Sequence, residues 1–131
     1  MIGQKSVAIN YDKAIKMGSK KDYPSLELVR LDSIFFKGKK GDKILEIGIG
    51  SGCNTVYLAQ KGYKVTGIDI AKSSKIITEK KLKKKRNNNK NFQIKILKYN
   101  YKTLPFKRNY FDHVVCMSVL SLLGSKTKIE K

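Results

Sequence analysis

The run Lys43-Ile-Leu-Glu-Ile-Gly-Ile-Gly-Ser-Gly52 constrains this chain more than any other segment. Its first half is short and mostly apolar, and reads as a buried strand ending in an acid and a turn. Gly48, Gly50 and Gly52 fall at alternate positions. Glycine can take positive φ there and let the backbone approach a ligand closely. A second strand pattern, Val65-Thr-Gly-Ile-Asp69, follows one helix later and also ends in an acid.

The glycine spacing separates several ligand classes. A dinucleotide fold places its third glycine one residue later, where the helix N-terminus meets a pyrophosphate. Cys53 stands at that place. A phosphate-gripping P-loop needs Gly-Lys-Ser/Thr, and no lysine follows Gly52. Glu46, two residues before Gly48, would repel a phosphate. S-adenosylmethionine carries an ammonium and a sulfonium and no phosphate, so it suits an acidic loop. Asp69, at the end of the neighbouring strand, is placed to accept both ribose hydroxyls. A tight strand-to-helix turn would account for the glycines alone. The acid, the glycines and the second acid together describe an adenosyl pocket.

The rest of the chain alternates helix and strand. Ser25 to Phe36 has Leu26, Val29, Leu31 and Ile34/Phe35 at near-helical spacing, after Pro24 and a capping serine. Lys37 to Gly41 is a turn and Ile44 to Ile47 the first strand. Asn54 to Gln60 is a helix stopped by Gly62. Lys64 to Asp69 is the second strand and Ser73 to Lys85 the next helix. The run Lys83 to Lys90 reads as a solvated loop. Phe92 to Tyr99 is the third strand, with Phe92, Ile94 and Ile96 alternating. Phe111 to Met117 is the fourth, nearly all apolar and so expected to be buried on both faces. A helix or loop is expected from Ser118 to Leu123. Strands that alternate with helices imply a parallel sheet with right-handed crossovers.

At these residues the chain resembles the class I S-adenosylmethionine-dependent methyltransferases of the broad small-molecule type. The resemblance runs from about Tyr23 to Leu123. Ile44 to Gly52 matches the first motif and Gly67-Ile-Asp-Ile70 the second. Asn100-Tyr-Lys-Thr-Leu-Pro-Phe106 and Tyr110 to Met117 match the third and fourth. The resemblance implies an α/β, Rossmann-like three-layer sandwich with parallel strand order 3-2-1-4, and S-adenosylmethionine as cofactor. It implies that Glu46 and Gly48 help hold the methionine end and Asp69 the ribose. Ile49, Gly50, Gly52, Ile70, Asn100, Tyr101 and Met117 complete the expected site. Position 100, usually an acid facing the adenine amino group, is asparagine, whose carbonyl still accepts that bond. The family continues with further strands after the fourth, so this chain is expected to hold the cofactor half and to lack the C-terminal strands. Residues 1–22 then form an N-terminal segment and 23–131 a partial methyltransferase domain.

Composition narrows the reading further. A chain of 131 residues supports one domain and a modest core. No long apolar run or N-terminal apolar segment occurs, so a cytoplasmic protein with no membrane partner is expected. Cys53 and Cys116 have no zinc-like spacing, so no metal is expected and a reduced setting fits. The net charge of +19 invites a nucleic-acid partner. Lysine supplies nearly all of it, beside abundant asparagine and isoleucine, as an AT-rich coding sequence produces. Arginine forks and interleaved aromatics are scarce.

The remaining candidates read as structural. His113 could act as a general base, but it lies inside the fourth strand beside Asp112. Cys53, at a helix N-terminus, reads as a small packed residue, and Cys116 as core. Tyr11 could close over the cofactor. No Asn/Asp-Pro-Pro-Tyr-like motif follows the fourth strand, which speaks against methylation of base amino groups. The expected function is methyl transfer to a small-molecule acceptor. The alternatives are a cofactor-binding remnant or partner subunit without activity of its own, and an RNA methyltransferase. An apolar fourth strand at the sheet edge would favour self-association.

Overall fold

A computed structural model describes residues 23–86, 92–98 and 102–117. Helix α1 spans Leu26–Leu31 and continues as a π-helical turn over Asp32–Phe36. Strand β1 is Lys43–Ile47, helix α2 Cys53–Gln60, strand β2 Lys64–Asp69 and helix α3 Lys72–Arg86. Strands β3, Ile94–Lys98, and β4, His113–Cys116, complete the described sheet.

The sheet is parallel, in the order β3-β2-β1-β4. This is the Rossmann-like arrangement. The order reverses between β1 and β4, and in sheets of this kind the ligand crevice lies at the carboxyl ends of the strands beside that switch. Ile44, Val65, Ile96 and Val115 join one apolar cluster with Leu28 of α1, Leu58 of α2 and Leu82 of α3. The strand registers put those four residues on a single face, so the three helices pack on that side. The alternation of Phe92, Ile94 and Ile96 is the period-2 signature of this face.

Two elements differ from expectation. Ser25 does not cap α1 through its side chain; its hydroxyl donates to Glu27, and its backbone N–H donates to Asn54 Oδ1 at 2.7 Å. The end of that helix widens into a π turn, closed by Lys37 N–H on the Asp32 carbonyl. The cause is tertiary. Asp32 is buried, and its carboxylate accepts from the hydroxyls of Tyr57, at 2.8 Å, and Tyr63. Burial, followed by the bond to Asp32, pushes the Tyr57 hydroxyl up to about 12 and raises that of Tyr63 further. Both tyrosines therefore stay protonated and donate.

The fourth strand is not buried on both faces. Val115 is 6% exposed and Val114 58%. β4 ends the described sheet, so only its helix side is covered. Helix α2 stops as expected at Gly62, φ 95°. Tyr63 N–H donates to the Leu58 carbonyl and Gly62 N–H to that of Ala59, the paired bonds of a Schellman ending. Among the described residues no helix is long and apolar enough to cross a membrane, and no cluster of side chains could hold a metal ion.

Candidate functional site

The loop from Gly48 to Gly52 leaves β1 at the mouth of the crevice. All three glycines take positive φ, at 78°, 58° and 81°, a region that costs an L-residue roughly 1 kcal/mol or more. Gly48 N–H is tied to the Ile68 carbonyl at 2.8 Å and Gly52 N–H to that of Ile49 at 2.9 Å. Gly52 has a second reason to be glycine, because a Cβ there would collide with Thr78 of α3.

Asp69 ends β2 and braces this loop. Its Oδ2 accepts from Gly50 N–H at 3.0 Å and its Oδ1 from Ala71 N–H at 2.8 Å. Burial raises the carboxyl above its ordinary range, and the backbone donors of Ala71, Gly50 and Ile70 oppose that rise. Glu46 is more deeply placed. It is 2% exposed and accepts from Thr55 Oγ1 of α2. Burial pushes its carboxyl up to about 8; the Thr55 bond lowers it and the nearby Asp69 charge raises it. Two acids whose charged forms are disfavoured thus flank one loop. A cation entering the crevice would relieve both, and an anion would worsen both.

The residue family model that matches the chain is that of the methyltransferase domain, over residues 45–129. The chain belongs to the methyltransferase domain family. Its class I fold follows from the sheet order and from solved structures of the same architecture. A protein from Methanococcus maripaludis superposes with TM-score 0.64 at 16% identity, over 96% of this chain and 55% of its own. A structure concerning conversion of a disulfide bond into a thioacetal group during echinomycin biosynthesis gives 0.67 at 19% identity, over 88% and 46%. An S-adenosylmethionine-dependent methyltransferase from Methanosarcina mazei is 34% identical over 62% of this chain and 39% of its own, with TM-score 0.53. The chain spans about half the length of the structures it matches, or less. No curated protein matches it. The family implies S-adenosylmethionine as methyl donor.

In this methyltransferase domain, Gly48, Gly50, Gly52 and Asp69 come together at the crevice, with Ile70 directly after Asp69. Ile49 belongs to the loop, but its side chain turns into the core, 4% exposed and against Gly67. Only its backbone is available to a ligand. Met117 follows β4 at the same end of the sheet. It packs on the core cluster and takes a long contact from Asn54 Nδ2, 4.0 Å to sulfur. Asn100 and Tyr101 lie outside the described residues, as does Tyr11.

His113 sits at the opposite end of the strands. Its Nε2 is 3.0 Å from Asp42 Oδ2 and its ring stacks on Phe36 at 4.3 Å. Asp112 accepts from Lys43 N–H at 2.8 Å and holds the start of β4 to β1. Neither reaches the crevice.

Two contributors were not legible in the sequence. Thr55 supplies the partner of Glu46. Lys81 reaches from α3 to the loop, donating to the Ser51 carbonyl at 2.7 Å and Cys53 Sγ at 3.0 Å. Its only sequence signal is a place in a lysine-rich helix, where it looks like its solvated neighbours.

Proposed function

We propose that this domain binds S-adenosylmethionine in the crevice at the ends of β1 and β2, and serves methyl transfer to a small-molecule acceptor. One observation carries the reading: Glu46 and Asp69, both disfavoured as anions, flank a loop of three positive-φ glycines. That donor set suits a ligand with an ammonium and a sulfonium.

Each residue then has a part. The glycine loop lets backbone come close to the methionine end. Asp69 is already aligned by Gly50 and Ala71, and in this reading its carboxylate accepts from the ribose hydroxyls. Glu46 loses its proton when positive charge arrives, and so adds attraction without holding a buried anion beforehand. Asn100 accepts from the adenine amino group. When bound, S-adenosylmethionine supplies a methyl group already activated on sulfur. The protein's share is alignment and exclusion of water, and no side chain need act as a base if the acceptor arrives as a nucleophile.

Calorimetry with S-adenosylmethionine, followed by radiolabelled methyl transfer to a metabolite pool, tests the proposal. Micromolar binding that Asp69→Ala weakens is expected. Equal affinity of the two proteins would remove the site.

A second reading is a donor-binding unit without turnover of its own. Binding without label transfer, restored by adding another protein, would select it.

A further inference from the structure

A groove of about 210 Å³ opens at the other end of the sheet, over the first residues of β1, β2 and β3. Lys43, Lys64 and Lys95 line it, with Thr66, Gln93 and Tyr110. Lys43 and Lys64 are register partners, and Lys95 partners Thr66, two residues along β2 from Lys64. All three lysines therefore share the face turned away from the helices.

Like charges directly opposite each other in a sheet are destabilising. Among the described residues the one contact that offsets them is that of the Lys43 ammonium with the Tyr110 ring. None of the lining residues is acidic. Among the described residues no carboxylate pairs with these lysines. Asp112 is close in the chain fold, but it bonds the Lys43 backbone and does not line the groove. Beside the lysines stands an aromatic wall. Tyr110 is 47% exposed, packed edge-on to Phe111 at 4.9 Å, with the Lys43 ammonium 4.5 Å from its ring centre.

We propose that this groove binds a nucleotide unit, with its phosphate among Lys43, Lys64 and Lys95 and its base against Tyr110. Lysine gives point-charge contacts to phosphate without reading sequence. An exposed ring next to such contacts is the stacking platform of single-strand binders. Gln93 can meet a base edge. The groove lies at the opposite end of the strands from the Gly48–Gly52 loop, so the inference does not rest on the methyl-donor reading. The unit is either free or part of a strand.

The test is binding of labelled single-stranded RNA, twelve nucleotides long, and of adenosine monophosphate, at several salt concentrations. One variant carries Lys43→Gln, Lys64→Gln and Lys95→Gln. A control carries Lys80→Gln, Lys83→Gln and Lys84→Gln, exposed residues of α3 with the same charge loss. The groove variant should lose at least tenfold in affinity, and its slope of log K against log salt should fall by about two. The control should lose less than threefold. Tyr110→Ala should lose about tenfold. Binding of the monophosphate, sensitive to the same changes, assigns a free nucleotide; binding of RNA alone assigns a strand. Equal losses in the two triple variants would reduce the effect to overall charge and overturn the proposal, as would an unaffected Tyr110→Ala or no binding of either probe. Photocrosslinking of the unaltered protein needs no variant. Adducts at Tyr110 or Gln93 are expected, and adducts confined to α3 would overturn it. Unchanged S-adenosylmethionine affinity in the groove variant keeps this outcome separate from that of the crevice.

Discussion

The backbone N–H of Gly50 donates to Oδ2 of Asp69 across 3.0 Å, joining the loop after β1 to the end of β2. The carboxylate therefore braces the loop, and under the proposed function it also faces the ligand. Asp69→Ala should weaken S-adenosylmethionine binding by roughly 1–3 kcal/mol and also lower the melting temperature of the ligand-free protein. A variant that loses affinity without losing stability would mean that the brace carries no weight.

Under the proposed function, Glu46 should make donor binding pH-dependent. Its carboxyl sits near 8 in the ligand-free protein, and a bound cation lowers it. Binding near pH 7 should release a proton, and affinity should rise with pH until about 8 and then level off. Calorimetry in buffers of different ionisation enthalpy reads the proton directly. Glu46→Gln should abolish the release, and a wild-type protein that releases none would contradict the assignment.

The same shift acts on stability with a definite sign. The folded state holds the Glu46 proton above the unfolded value of 4.5, so stability is lost as pH rises from about 4.5 to about 8. Glu46→Gln should remove that loss and stabilise the ligand-free protein at pH 8 by an amount on the order of a few kcal/mol. Urea titrations at pH 5 and pH 8 measure it.

Asp32 should matter more than any surface charge. Asp32→Ala leaves two tyrosine hydroxyls without their acceptor, at a cost of about 2–4 kcal/mol. Tyr57→Phe should cost about 1 kcal/mol. Because burial and Asp32 hold the Tyr57 hydroxyl near 12, tyrosinate absorbance should appear late in an alkaline titration. Stability should fall as pH climbs from about 10 toward 12. Denaturant midpoints for the three proteins decide the point.

Asn100 carries a prediction that rests on sequence, since it lies outside the described residues. Asn100→Asp should retain or improve donor affinity and Asn100→Leu reduce it. If Asn100→Leu binds like the parent, the adenine lies elsewhere.

That the sheet is parallel was readable because strands alternate with helices; its order, 3-2-1-4, came from the resemblance to the family. The loop was readable from the glycines that take positive φ, Gly48, Gly50 and Gly52, and the end of β2 from its acid. It was not readable where a common residue acquires meaning from a distant partner. Lys81 resembles every other lysine of α3 until Ser51 meets it. The π turn at Asp32–Phe36 keeps a helical apolar spacing, and only the tyrosines of later elements reveal why it widens. Val114 misled for the opposite reason: an apolar run signals burial, but not on how many sides.

Gly52 and Thr78 share one small volume, the space a side chain on the loop would need being filled by the helix hydroxyl and methyl. A bulkier residue at 78 would push the loop out of place from behind, without ever meeting a ligand. Positions 52 and 78 are therefore bound to change together or not at all, and an otherwise harmless exchange on a buried helix face could silence the crevice from across the protein.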